Sequence, residues 1–322
     1  MFQLTFDIPG NPDKIALNSK IYLAGSCFAE NIGQKLQEYK FNALINPFGN
    51  IYNPISIFEN LGKVLQPSQQ KEEILLHREI YHTWNIHGRL ASTDLNNLKS
   101  NLLLAQSQTR NFLESGDWLV FSLGTAWVYE LISNQKIVAN CHKYPANHFK
   151  KRLLSVEEML TAFFQCHQEI KKTNPRLKYL FTISPVRHLK DGWVENTRSK
   201  ALLVQFVHEV VGRTEGACYF PSYEIVMDEM RDYRYYKDDF IHPSQLAVDY
   251  IWDRFITTYF DEGALEFVTD WKKILAALRH KPFHPGTQDH QAFVTSTLSK
   301  LDRWADKVDV SEEVEFLKEQ YQ

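Results

Sequence analysis

The chain has 322 residues, of which 44% are hydrophobic and 13% aromatic, with a net charge of −3 at pH 7. That is apolar material for one large α/β domain plus an appendage, or for two modest domains. The nearly balanced charge excludes the basic footprint that nucleic acid or an anionic membrane surface would require.

Residues 1–19 read as an irregular arm, with Pro9-Gly10-Asn11-Pro12 as turn chemistry. Its first residues lack the basic region and apolar core of a signal peptide. No stretch of the chain approaches the ~18 apolar residues of a membrane span, so no membrane partner and a cytoplasmic location are expected. Residues 21–24 form a short apolar run that breaks at Gly25-Ser26, and 29–39 then reads as a helix. A serine on a strand-to-helix turn sits at the carboxyl end of its strand, where open α/β sheets bind ligands. Ser26 is therefore a helix cap or a nucleophile. Residues 41–45 form a second apolar run, ending in Asn46-Pro47-Phe48-Gly49-Asn50.

Helical periodicity marks 55–65 and 95–115, where Leu98, Leu102 and Leu103 define one face. The segment between them carries His77, His82 and His87. Their five-residue spacing matches neither a helix face nor a strand face, so these residues belong to a loop or hairpin, and no metal site is expected. Nor do the four cysteines (Cys27, Cys141, Cys166 and Cys218) offer one, since they are far apart with no C-x-x-C pair. They give no disulfide framework either. Cys27 as a nucleophile is a minor alternative to Ser26, since it would need a thiolate beside an imidazole.

Residues 118–123 form a near-continuous apolar run, as expected of a central strand buried on both faces. Segments 128–132 and 136–140 read as a hairpin delivering Cys141-His142 into a loop, where His142 faces substrate or solvent. Ser155 and Glu158 form a capping box that opens a helix to about residue 172. The next buried strand, 179–184, ends at Pro185-Val186-Arg187-His188. Arg187 there can clamp an anionic group of a substrate or pair with Glu195 or Glu224. A helix follows over 195–215, then a last strand near 218–223. Alternating strands and helices over 20–260 predict a doubly wound, mostly parallel sheet.

Residues 228–236 are crowded with Arg and Tyr, which suits a polyol ligand or an empty packed lid. Asp239-Phe240-Ile241-His242-Pro243 follows. An Asp and a His three apart can fold together so that the carboxylate orients one imidazole nitrogen and the other takes a proton from a hydroxyl. Pro243 keeps His242 out of the following helix, 244–260. Amphipathic helices over 264–279 and 292–320 form a tail that is a candidate cap or homo-oligomer contact, with Glu312-Glu313 on a solvated acidic face. The expected domains are 1–262, with insertions around 66–95 and 128–150, and a helical extension over 263–322.

Gly25-Ser26-Cys27-Phe28-Ala29 spells the motif of the GSCFA family. The match runs on through Asn46–Pro54, Leu123–Tyr129, Ser184–His188 and Tyr219–Glu224. This family resembles a branch of the SGNH/GDSL hydrolases, and the resemblance implies a three-layer sandwich and a Ser26–His242–Asp239 triad. It further implies an oxyanion hole at Ser26 and Gly49, with a third donor near Thr125. The third donor in that superfamily is an asparagine amide; here Gly124-Thr125-Ala126 carries none. Either Thr125 supplies a donor, or Asn140 swings in, or hydrolysis is slow or absent, since one such donor contributes about 3 kcal/mol. The substrate-facing candidates are Arg187, His188, His142, Asn46 and Trp127. The expected activity is hydrolysis of a short acyl ester such as an acetyl ester, on a small molecule or a carbohydrate, with no cofactor. Acyl transfer by the same triad and a non-catalytic carbohydrate-binding module are the alternatives.

Overall fold

The computed structural model describes residues 4–66 and 73–319; residues 67–72, at the start of the expected 66–95 insertion, and residue 320, at the end of the expected last helix, lie outside it. Five parallel strands form the main sheet: β1 (Lys20–Gly25), β2 (Asn42–Ile45), β5 (Trp118–Leu123), β9 (Lys178–Ile183) and β10 (Ala217–Phe220). Their order across the sheet is β2-β1-β5-β9-β10. The order reverses between β1 and β5, which opens the crevice at the carboxyl ends of those two strands.

Strand side chains alternate between two cores, as a period of two requires. Tyr22, Ala24, Leu119, Phe121, Tyr179 and Phe181 face one layer of helices. That layer holds α2 (Pro54–Leu65), α3 (Leu95–Ser115), α4 (Val156–Thr173) and α5 (Trp193–Arg213). Phe58 of α2 lies at its centre, with ring centroids 5.4 Å from both Phe121 and Phe163. Burying such a ring stabilises by about 1.5–3 kcal/mol. Ile21, Leu23, Trp118, Val120 and Leu180 face the opposite layer. That layer contains α1 (Cys27–Glu38), α7 (Gln245–Tyr259) and α8 (Glu262–Arg279). Helices on both faces make this a doubly wound three-layer sandwich, with helices continuing to residue 319.

Of the histidines expected on a loop or hairpin, His77 and His82 lie on a hairpin, β3 (Leu75–His77) and β4 (Ile80–His82), whose turn is made by Arg78 and Glu79, both at positive φ, and His87 lies on the loop beyond it. Other local readings need correction. The expected hairpin after β5 is a three-stranded antiparallel sheet in which β6 (Trp127–Leu131) lies between β7 (Ile137–Val138) and β8 (Phe149–Leu153). The tail breaks where one helix was expected: α9 (Gln288–Asp302) and α10 (Ser311–Glu319) follow a short helix α6 (Ser222–Glu224) and the pair α7 and α8 in chain order. Glu313 is not on a solvated face. Its side chain is 14% exposed and pairs with Lys40 at 2.7 Å.

Candidate active site

Three strands hold the turn around Ser26. Gly25 has φ +137°, and a Cβ there would lie 2.0 Å from the Ser122 carbonyl oxygen, so only glycine fits. Asn46 on the loop after β2 accepts the Gly25 N–H through Oδ1 at 2.8 Å, and the Ser26 N–H donates to the Ser122 carbonyl at 3.0 Å. The Ser26 hydroxyl then does what a cap does and accepts from the Phe28 N–H at 3.2 Å. It also shares a hydrogen bond with the Ser122 hydroxyl at 2.9 Å and is 1% exposed. The Asn46 amide continues outward through Asn50 to Glu30.

The second part of the site stands on an exposed loop before α7. An isolated bridge joins Tyr236 to Pro243, and Phe240 takes φ +56° at the tip. Within this turn Asp239 Oδ1 accepts the N–H groups of Ile241 and His242, each at 2.9 Å. Its Oδ2 meets His242 Nδ1 at 2.6 Å. The two backbone donors, then the imidazole, hold the Asp239 carboxyl well below the usual carboxylate range. With Nδ1 directed at the carboxylate, the His242 Nε2 is the nitrogen left to accept a proton. Asp239 and His242 are thus brought together by three residues of local chain. Among the described residues, no hydrogen bond joins His242 to Ser26, whose hydroxyl is held by Ser122. His188, on the loop after β9, stacks edge-on to Tyr52 at 5.3 Å.

The expected oxyanion donors are all engaged. Besides the Ser26 N–H, the Gly49 N–H donates to the Asn46 carbonyl at 2.7 Å and the Thr125 N–H to the Tyr52 carbonyl at 3.0 Å. The Thr125 hydroxyl shares a hydrogen bond with Ser199 at 3.1 Å and accepts the Trp127 N–H at 3.0 Å. The Asn140 Oδ1 accepts the His142 N–H at 2.8 Å.

The expected substrate-facing residues divide. His188 and Arg187 lie beyond β9, on the loop that follows Ser184. Burial, then Lys200, pushes His188 down to about 4, so it stays neutral at physiological pH. Arg187 pairs with neither Glu195 nor Glu224; its guanidinium lies 5.5 Å over the exposed ring of Trp193 and contacts Met227 Sδ at 3.0 Å. Trp127 is half-buried, with Lys151 5.2 Å over its ring. Asn46 is buried, and its amide is committed to the Gly25 turn. His142 packs its ring 4.1 Å from His82 of β4 and contacts the Thr83 carbonyl at 2.8 Å. Burial pushes the Cys27 thiol up, which disfavours the thiolate a cysteine nucleophile would need.

Two residues at the crevice escape a reading by motif. Ser122 is the one polar side chain in the β5 run Trp-Leu-Val-Phe-Ser-Leu, and that interruption is its signal. Lys200 lies in line with Leu203 and Val207 on the buried face of α5, and a lysine in an apolar helical stripe is the signal there.

A profile described as GSCFA family matches residues 20–255, from the first strand into α7. The chain belongs to the GSCFA family. A second profile, described as GSCFA domain protein, C-terminal domain, matches residues 271–322 of this GSCFA protein. No curated protein matches it. Among solved structures it is similar to a carbohydrate esterase family 3 from Talaromyces cellulolyticus at 8% identity and a TM-score of 0.36, over 79% of this chain and 99% of that one. It is also similar to an acetyl esterase mutant with acetate ion at 8% identity and a TM-score of 0.35, over 80% and 99%. Among the described residues, no helix of this GSCFA protein is long and apolar enough to cross a membrane, and no group of three or more His, Cys, Asp or Glu is placed to hold a metal ion.

Proposed function

We propose that this GSCFA protein is a serine ester hydrolase acting on a short acyl ester, with Ser26 as nucleophile, His242 as general base and Asp239 as its orienting carboxylate. The observation that carries the reading is the 2.6 Å contact between Asp239 and His242 Nδ1, on a loop whose other anchor precedes the sheet-covering helix α7. A carboxylate on Nδ1 fixes the tautomer whose Nε2 accepts a hydroxyl proton. Ser26 stands at the strand-order reversal, the place where an open sheet receives its ligand.

In the reaction, Ser26 exchanges its Ser122 partner for His242 and attacks the acyl carbon while Nε2 takes its proton. The imidazolium so formed is stabilised by Asp239 and returns the proton to the leaving alcohol. Water then attacks the acyl-serine by the same route, releasing the acid and restoring the hydroxyl. The N–H donors of Ser26, Gly49 and Thr125 each hold a protein carbonyl, so the substrate oxygen has to draw at least one of them away. Exposed Trp193, Tyr233 and Phe240 support a carbohydrate as the alcohol part, since flat rings stack on sugar C–H faces. The same triad serves transfer to a sugar hydroxyl in place of water. Turnover of p-nitrophenyl acetate and labelling by a fluorophosphonate, both abolished in Ser26→Ala with the fold retained, are the expected results. Undiminished turnover in Ser26→Ala refutes the reading.

One observation favours a second reading, a binding module without chemistry: the Ser26 hydroxyl is bonded to Ser122 rather than to His242. Binding of a sugar ester with no product and no labelling of Ser26 would decide for it.

A further inference from the structure

Helix α5 presents one face to the crevice, and each residue on it holds a loop. The Trp127 indole N–H donates to the Glu195 carbonyl at 3.2 Å, and the His188 N–H to Asn196 Oδ1 at 3.0 Å. The Ala126 N–H donates to the Ser199 hydroxyl at 2.7 Å. Lys200 closes the set: its ammonium donates to the Gly124 carbonyl at 2.7 Å and to the Ser184 carbonyl at 2.6 Å. These two carbonyls lie just past the carboxyl ends of β5 and β9. Ser26 lies just past the end of β1, the neighbour of β5.

Lys200 is 1% exposed and has no carboxylate partner among the described residues. A buried ammonium of this kind is costly to fold, and an apolar residue of the same length would fill the space at less cost. Two carbonyls also leave one of its three N–H bonds for another acceptor. Burial pushes its pKa down to about 7, opposed by Cys27 on α1 and reinforced by Arg187. His188 on the loop after β9 is the other titratable group that feels it.

An acyl transfer at Ser26 needs positive charge or free N–H groups beside the acyl oxygen. The three backbone donors expected there, the N–H groups of Ser26, Gly49 and Thr125, are each satisfied by a carbonyl. We propose that Lys200 is a positioning residue for ester hydrolysis at Ser26: its ammonium clamps the loops after β5 and β9 and supplies the positive potential that stabilises negative charge on the acyl oxygen. This inference rests on the hydrolase reading above.

The test uses the full chain with p-nitrophenyl acetate from pH 5 to 10, comparing the wild type, Lys200→Met and Ser26→Ala, with a thermal melt of each. The protonated lysine is the working form, so wild-type kcat/KM falls as pH rises through about 7, the reverse of the rise a general base produces. In Lys200→Met, kcat drops by about 100-fold with KM within about threefold, and the alkaline fall disappears. A folded Lys200→Met with kcat within about fivefold of wild type and an unchanged alkaline fall overturns the role of Lys200 and leaves the hydrolase reading standing. If the variant does not fold, the wild-type profile decides: a kcat/KM level up to pH 9 overturns it. Absence of any Ser26-dependent turnover removes both readings together.

Discussion

Replacing Gly25 with alanine tests whether the serine turn is built as described. Gly25 has φ +137°, and the added methyl carbon would lie 2.0 Å from the Ser122 oxygen and 2.8 Å from the Ser122 carbonyl carbon. Strained backbone of this kind costs about 1–3 kcal/mol. The overlap adds a similar ~1–3 kcal/mol, because the obstacle is main chain of the central strand and not a side chain that can rotate away. β5 is paired on both sides, so Ser122 cannot retreat without disturbing the ladders to β1 and β9. The sum, about 2–6 kcal/mol, is a large part of the ~5–15 kcal/mol that a domain possesses. Guanidinium unfolding followed by tryptophan fluorescence should show a lower midpoint with an unchanged slope. Fluorophosphonate labelling of Ser26 should slow in parallel, since the same Ser122 carbonyl accepts the Ser26 N–H. A loss of less than about 1 kcal/mol together with unaltered labelling would refute the geometry.

Three further outcomes are expected. Asp239 is held ionised by two backbone N–H groups and an imidazole. Its folded pKa is depressed, so its contact with His242 persists as pH falls through the ordinary aspartate range near ~3.9. A carboxyl-carbon NMR titration would show no Asp239 transition between pH 5 and 3, whereas one centred near pH 4 would contradict the contact. His142, pushed down to about 4 chiefly by burial, stays neutral when folded. The unfolded chain therefore binds more protons between about pH 6.5 and 4, and stability is lost as pH falls across that window. Discounted for partial exposure, His142 contributes about 1–2 kcal/mol to that loss. His142→Asn, which suits its φ of +45°, should flatten the stability profile, as denaturant melts at pH 7 and 4.5 would show. Trp271 is fully buried, with its indole N–H donating to the Glu38 carbonyl at 2.9 Å, so Trp271→Ala should destabilise by about 3–5 kcal/mol in the same melts.

Much of the fold is legible because its central strands are buried on both faces. The runs at 21–24, 118–123 and 179–183 need no alternation to declare themselves, and the Ser155/Glu158 box is a local signal with a local outcome. The Asp239–His242 contact is equally local, three residues apart. Strand β8 is not legible, since Lys150, Lys151 and Arg152 make it look like a loop. Its pairing comes from outside, through Glu130 on the neighbouring strand and the rings of Trp127 and Tyr129 under Lys151. The hairpin turn at Arg78-Glu79 lacks the glycine or asparagine that marks such turns. The site itself is hidden for another reason. Ser122 lies 96 residues from Ser26 on another strand, and the carbonyl that occupies the Thr125 N–H, that of Tyr52, comes from another loop. Such hydrogen bonds leave no trace in the spacing of any motif.

The connector between α8 and α9 has a practical consequence. Phe283 within it is 94% exposed, whereas Val294, Leu301 and Trp304 beyond it are buried against Phe267 and its neighbours, and Arg303 pairs with Glu266 and Asp270. A protease that cuts near Phe283 would sever the covalent link without undocking the helices beyond it. The two fragments would migrate as one particle in native buffer and separate only in denaturant, so a clipped preparation would pass for intact protein until it is unfolded.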